Sequence, residues 1–177
     1  MVELMTLAEQ VEMDFVLARR RARFRWLAGR LRRRTCALVP FEQRRRSVGA
    51  YGGLRRGRST VEVAKIVGSA GKHDQFDDRF MPLGGASADR WKRIDRAHRG
   101  GAELPPVALY AIDDEYFVQD GHHRVSVARY HGAEWIDAEV TQFRSSRLPG
   151  DGHPSRPYAP VRFWAAAASG HGRAYGD

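Results

Sequence analysis

The densest chemical grouping in the chain is Asp120-Gly121-His122-His123-Arg124. An arginine offers a two-pronged donor to a phosphate. An imidazole offers a further donor or a general base, and a nearby carboxylate can orient that imidazole. A phosphotransferase or a nuclease would use His122, His123 and Asp120 as catalytic groups. A binding module would need only Gly121, His123 and Arg124. Histidines at a helix start can also simply cap or pack, so both readings stand at this point.

The flanking residues say how such a turn would be held. Tyr116, Phe117 and Val118 are aromatic or β-branched and follow a polar turn at Asp113-Asp114-Glu115, which predicts a strand. Asp120-Gly121 ends it. Val125, Val127, Ala128 and Tyr130 then line one side of a helix that Gly132 closes. Gly121–Arg124 therefore falls where a strand hands over to a helix N-terminus. Unpaired backbone N–H groups and the positive end of the helix dipole favour an anion there. Gly121 lets the backbone approach a ligand closely. Lys72 and Arg79 are expected to face the turn and add positive charge.

Upstream, Thr6 and Glu9 form a capping box. Leu7, Val11, Phe15, Ala18, Ala22 and Trp26 follow at spacings of three and four, one face of a long amphipathic helix. Its first turns are acidic and its later turns rich in arginine, as the dipole favours. Phe41–Ser47 reads as a short helix, and Gly49, Gly52, Gly53 and Gly57 as a flexible loop. Val61-Glu-Val-Ala-Lys-Ile-Val67 reads as a strand, and Ser87–His98 as a helix stopped by Gly100-Gly101. Val107–Ile112 and Glu115–Val118 read as a hairpin, and Ile136–Val140 as the last strand. His73, Asp74, Asp77 and Asp78 are close enough in sequence to raise a divalent metal site. They read better as a solvated or capping loop, and no metal is expected.

The turn resembles the Gly-x-x-Arg element of the ParB/sulfiredoxin superfamily. The resemblance extends to Val61–Val67, to Leu104-Pro-Pro-Val-Ala-Leu109 and to Ile136–Val140, about half of the chain. It implies an α+β fold, a small mixed sheet with flanking helices, here preceded by a long basic amphipathic helix. It also implies a phosphate or nucleotide site at Gly121, His123 and Arg124. The ligand would be a nucleoside triphosphate, CTP or ATP, with Mg. In sulfiredoxins the position of His122 is a cysteine nucleophile. Cys36, the only thiol, lies outside the matching region, so thiol-based sulfinic acid reduction is not expected. The chain carries Thr141-Gln-Phe-Arg where partition proteins carry a Glu-Asn motif. It also lacks room for their helix-turn-helix, so sequence-specific DNA clamping is not expected either.

The 177 residues allow one domain with extensions, and the hydrophobic share of 42% suggests some exposed segments. The net charge of +9 is unevenly placed: residues 1–58 hold 15 Arg, no Lys and 5 acidic residues. Residues 59–145 hold 11 basic and 14 acidic residues. We expect an Arg-rich helical extension over 1–58, a ParB/sulfiredoxin-like domain over 59–145, and a mobile Pro/Gly-rich tail over 146–177. In that tail, Val161–Ala168 would dock as a short helix. Arg19, Arg20, Arg23, Arg30, Arg32, Arg33, Arg34, Arg44, Arg45 and Arg46 would contact DNA or RNA without sequence preference. Part of the arginine excess is also what a GC-rich genome would produce. The lone cysteine excludes an internal disulfide. No apolar run is long enough to span a membrane and no signal peptide is evident, so a cytoplasmic protein is expected. The amphipathic N-terminal helix makes a homodimer a further expectation.

Overall fold

The computed structural model describes residues 5–33, 36–72, 74–84 and 86–146. Arg34, His73 and the tail beyond residue 146, with its expected helix over 161–168, lie outside them. The chain is α+β: the described residues form a six-stranded mixed sheet with four helices. In chain order these are α1 (Leu7–Leu31), β1 (Val39–Pro40), α2 (Phe41–Ser47), β2 (Tyr51–Glu62) and β3 (Ile66–Ser69). They continue with α3 (Ala88–Arg99), β4 (Val107–Ile112), β5 (Glu115–Asp120), α4 (His122–Tyr130) and β6 (Trp135–Arg144). The strand order is β1-β3-β5-β4-β6-β2. β3 lies parallel to both β1 and β5, β4 is antiparallel to β5 and parallel to β6, and β2 closes the far side antiparallel to β6. No helix among the described residues is long and apolar enough to cross a membrane.

Alternation along β4 sets the two faces of the sheet. Val107, Leu109 and Ala111 point into one apolar cluster with Val118, Val125 of α4, Ala138 and Val140. Tyr110 and Ile112 point into another with Phe117 and Phe41 of α2. A third cluster joins Phe15, Ala18 and Ala22 of α1 to Trp91 of α3 and to Val127 and Tyr130 of α4. Thr6 and Glu9 make the expected reciprocal cap: the Glu9 N–H donates to the Thr6 hydroxyl, and the Thr6 N–H to the Glu9 carboxylate.

Three sequence readings change. The stretch read as a glycine-rich loop is most of β2, so a domain boundary at Ser59 would cut that strand. Residues 39–40 and 51–58 are part of the sheet, and α2 between them packs on it through Phe41. The glycines serve the strand: Gly52 and Gly57 take φ +76 and +89 beside its two register shifts. Second, Val61–Val67 is not one strand. Val61 and Glu62 end β2, a single 3-10 turn covers Val63–Lys65, and β3 starts at Ile66. Third, the buried stripe of α1 runs through Val11, Asp14, Phe15, Ala18, Ala22 and Gly29, while Leu7 and Trp26 are exposed. The stripe keeps in register with Arg25, which donates to Asp77 in the loop before α3.

Gly68 shows how closely the sheet is packed. A Cβ there would lie 2.1 Å from the Val39 carbonyl oxygen and 2.5 Å from the Phe117 ring. Neither a backbone carbonyl nor a core ring can yield cheaply. Gly68→Ala is expected to destabilise by about 1–3 kcal/mol. Thermal denaturation against the parent should show Tm lower by several degrees; an unchanged Tm would contradict the close contact of β1, β3 and β5.

Candidate anion-binding site

Parallel β3 and β5 end side by side, at Ser69 and Asp120. The C-terminal ends of parallel strands are where open α/β sheets gather ligand groups. Gly121 follows β5 in the left-handed region, φ +95, and acts as the N-cap of α4 without a side-chain cap. A Cβ on it would stand 2.7 Å from Val107 Cγ1 and 3.0 Å from Arg124 Nε. The position therefore needs glycine both for its φ and for the guanidinium that lies against it.

That guanidinium is committed to the chain itself. Arg124 Nη1 donates to the carbonyl oxygens of Pro105 and Pro106, the latter at 2.8 Å, and Nη2 donates to Asp120 Oδ2 at 2.8 Å. Proline has no N–H to give a ladder, so these two carbonyls at the threshold of β4 are tied down by a side chain of α4. The expected phosphate fork is thus directed into the fold. Asp120 pairs with Arg124, so the expected pairing of Asp120 with His122 or His123 is not what its oxygen makes.

Both histidines are buried. His122 Nε2 lies 2.7 Å from Ser69 Oγ, which also accepts the N–H groups of Gly71 and Lys72, each at 3.0 Å. With its acceptor capacity used, the Ser69 hydroxyl donates to Nε2, and this assigns the proton of His122 to Nδ1. Ser69 is too buried and too fully bonded to be a nucleophile. The His122 ring stacks on Phe76 at 6.1 Å, and the His123 ring meets Phe76 edge-on at 5.2 Å. His123 Nδ1 is buried with no hydrogen-bond partner among the described residues. Such an orphan costs about 1–3 kcal/mol.

Charge completes the picture. Burial pushes His122 down to about 4, reinforced by Lys72 and opposed by Asp120. Burial, then Arg90, then Lys72 push His123 down to about 4 as well. Both rings are neutral at pH 7, within the field of Lys72 in the loop after β3 and of Arg90 on α3. Neither Lys72 nor Arg90 is in an ion pair among the described residues. The charge of Lys72, expected beside the turn, acts on both rings. Arg90, in the first turn of α3, had no sequence signal, because only the packing of α3 on α4 brings it here. Arg79 lies in the loop over residues 74–82, where its N–H donates to Asp77 Oδ1 and its charge reaches Asp78.

The acidic loop is also accounted for. Asp77 is buried and accepts from the Arg79 and Met81 N–H groups and from Arg25. A different cluster, Asp14, Asp95 and His131, brings three possible ligand atoms within 4.8 Å of one another. Three of its four carboxylate oxygens serve Arg99, the Tyr130 hydroxyl and the His131 ring, and the fourth, Asp95 Oδ2, is buried 3.6 Å from Arg99 Nε without a hydrogen bond among the described residues, so the cluster reads as the polar joint between α1, α3 and α4. Cys36 is half-buried, and burial together with Asp78 and Asp77 raises its thiol, which disfavours a thiolate.

Of the arginines expected on nucleic acid, Arg44 pairs with Glu115 and Arg45 with Glu42. Arg19, Arg20 and Arg30 lie over the rings of Phe15, Phe24 and Trp26 at 5.8, 5.4 and 5.0 Å. Arg23, Arg32, Arg33 and Arg46 are exposed.

No family model matches the chain, and no curated protein matches it. Among solved structures, the crystal structure of sulfiredoxin from Arabidopsis thaliana is similar at a TM-score of 0.38 and 15% identity. That match covers 49% of this chain and 86% of the other.

The depressed histidines make stability depend on pH with a definite sign. Above about 6.5 both states hold them neutral. As pH falls from about 6.5 towards about 4, the unfolded chain takes up protons that the folded chain refuses. Each site then costs up to about 1.4 kcal/mol of stability per pH unit. Urea denaturation from pH 7.5 to 4.5 should show the loss, and the His122→Asn/His123→Asn double variant should lose stability less steeply. Equal slopes would mean the histidines are not buried neutral.

Proposed function

We propose that this protein is a phosphate-binding module whose ligand is a nucleotide, seated at the N-terminus of α4 and held by Lys72, Arg90 and His123. The observation that carries this reading is the buried Nδ1 of His123 in the first turn of α4, which has no hydrogen-bond partner among the described residues and lies within the field of Lys72 and Arg90, two cations in no ion pair among those residues. The first amides of a helix have no intrahelical acceptor, and the dipole adds partial positive charge there. An anion would meet the amides, the two cations and an imidazole N–H. Gly121 would let it come close. Arg124 contributes by holding the turn, since its donors go to Pro105, Pro106 and Asp120. A nucleoside triphosphate such as ATP or CTP, with Mg on its outer oxygens, is the ligand we propose. The exposed arginines of residues 19–46 would add non-specific affinity for DNA or RNA, and a cytoplasmic setting fits both roles.

The test uses Lys72→Ala and Arg90→Ala, because Arg124→Ala would disturb the turn itself. Purified protein is warmed with inorganic phosphate, pyrophosphate, ATP or CTP, with and without Mg. A ligand at 100 times its Kd stabilises by about 2.7 kcal/mol. For a chain of this length that is roughly 5–11 °C in Tm. We expect a shift with a nucleotide that the double variant loses. No shift with any phosphate ligand, or one that survives Lys72→Ala/Arg90→Ala, overturns the proposal. For the arginine surface, affinity for duplex DNA should fall with salt at a log–log slope of about −0.9 per phosphate neutralised; a flat salt response would remove the nucleic-acid part alone.

A further inference from the structure

α1 carries two apolar faces, and the body of the protein uses one. The used face holds Val11, Phe15, Ala18 and Ala22. On the opposite side, Met13, Leu17, Arg20, Phe24, Leu27 and Leu31 follow at alternating spacings of four and three. That is the a/d pattern of a coiled-coil seam. The five apolar members are 37% to 87% exposed. A contiguous apolar stripe of this kind on a folded surface marks an interaction site. The arginines Arg19, Arg23 and Arg30 lie along one flank of the stripe, not in it.

Charge indicates which partner fits. Residues 7–14 of α1 hold Glu9, Glu12 and Asp14 and no basic residue, while residues 19–32 hold seven arginines and no acidic residue. A parallel pair of such helices would set arginine against arginine along more than half its length. An antiparallel pair sets each acidic end beside a basic one. One antiparallel register centred at residue 22 matches the stripe to itself: Leu17 against Leu27, Met13 against Leu31, and Arg20 against Phe24. The last pairing repeats between chains the contact that Arg20 already makes over Phe24 within one chain, at 5.4 Å. A surface complementary to itself under a two-fold rotation is the requirement for a closed dimer.

We propose that two copies of this chain associate through the exposed stripe of α1, with the two helices antiparallel. The contact is independent of the anion site, whose residues lie on α3, α4 and the loop after β3. The test is the mass in solution of the full chain across a concentration series, by light scattering or sedimentation. We expect a dimer that Leu17→Glu/Phe24→Glu converts to a monomer with an unchanged helical spectrum, since both side chains are exposed and outside the core. Orientation is read by oxidation in a Cys36→Ser background. Leu17→Cys protein mixed with Leu27→Cys protein should form the mixed disulfide in preference to either self-linked species. A monomer at every soluble concentration, or a dimer indifferent to the double substitution, overturns the proposal. Self-linked Leu17→Cys as the main product overturns the antiparallel arrangement.

Discussion

The guanidinium of Arg124, lying across Gly121, is the contact on which the candidate site depends. It ties together the Pro105-Pro106 approach to β4, the end of β5 and the first turn of α4. Two consecutive prolines leave carbonyls to satisfy and no N–H with which to enter a ladder. The arginine supplies the donors. Its planar group needs the space where a Cβ on Gly121 would be, and Gly121 also supplies the left-handed φ that turns β5 into α4. Glycine and arginine, three positions apart, thus form one mechanical unit. A charged side chain in a candidate site can be there to shape the site and not to touch the ligand.

The histidines work against that frame in a different way. Burial beside Phe76 and the nearness of Lys72 and Arg90 keep both rings neutral. Ser69 takes up one nitrogen of His122 and, through the Gly71 and Lys72 N–H groups, ties the end of β3 to α4. His123 has no such tie at Nδ1 among the described residues. Two adjacent residues of the same type therefore differ in role: one is bound into the fold and the other keeps a donor or acceptor unused. Lys72 and Arg90, placed together with no ion pair among the described residues, raise the free energy of the site. A bound anion would relieve that repulsion.

α1 is part of the body and not a detached arm. Asp14, two turns in from the start of α1, accepts from Arg99 of α3 and from the Tyr130 hydroxyl at the end of α4, and Asp95 takes the ring of His131. The Tyr130 hydroxyl is held well above the usual phenol range, first by burial and then by Asp14. Removing one member of such a joint would strand its partners without water. The helix shows three arcs: an apolar and ionic one against α3 and α4, an arginine flank, and an apolar seam left to solvent.

Local patterns along the chain were enough for the α+β class, the capping box at Thr6, the hairpin at Asp113-Asp114, the helices α1, α3 and α4 and the strand-to-helix turn at Gly121. Each of these rests on residues within a few positions of one another, where periodicity, caps and turn chemistry act. Partners distant in sequence decided the rest. β2 is a strand because β6, some eighty residues on, offers a ladder; alone, its glycines read as a loop. Arg124 reads as a phosphate ligand until the Pro105 and Pro106 carbonyls are beside it. Arg90 joins the site only through the docking of α3 on α4, and Trp26 faces solvent because Arg25 must reach Asp77. Residue type determined what each group can bond to, and only the tertiary contacts decided what it does bond to, because a donor takes the acceptor that folding places in reach.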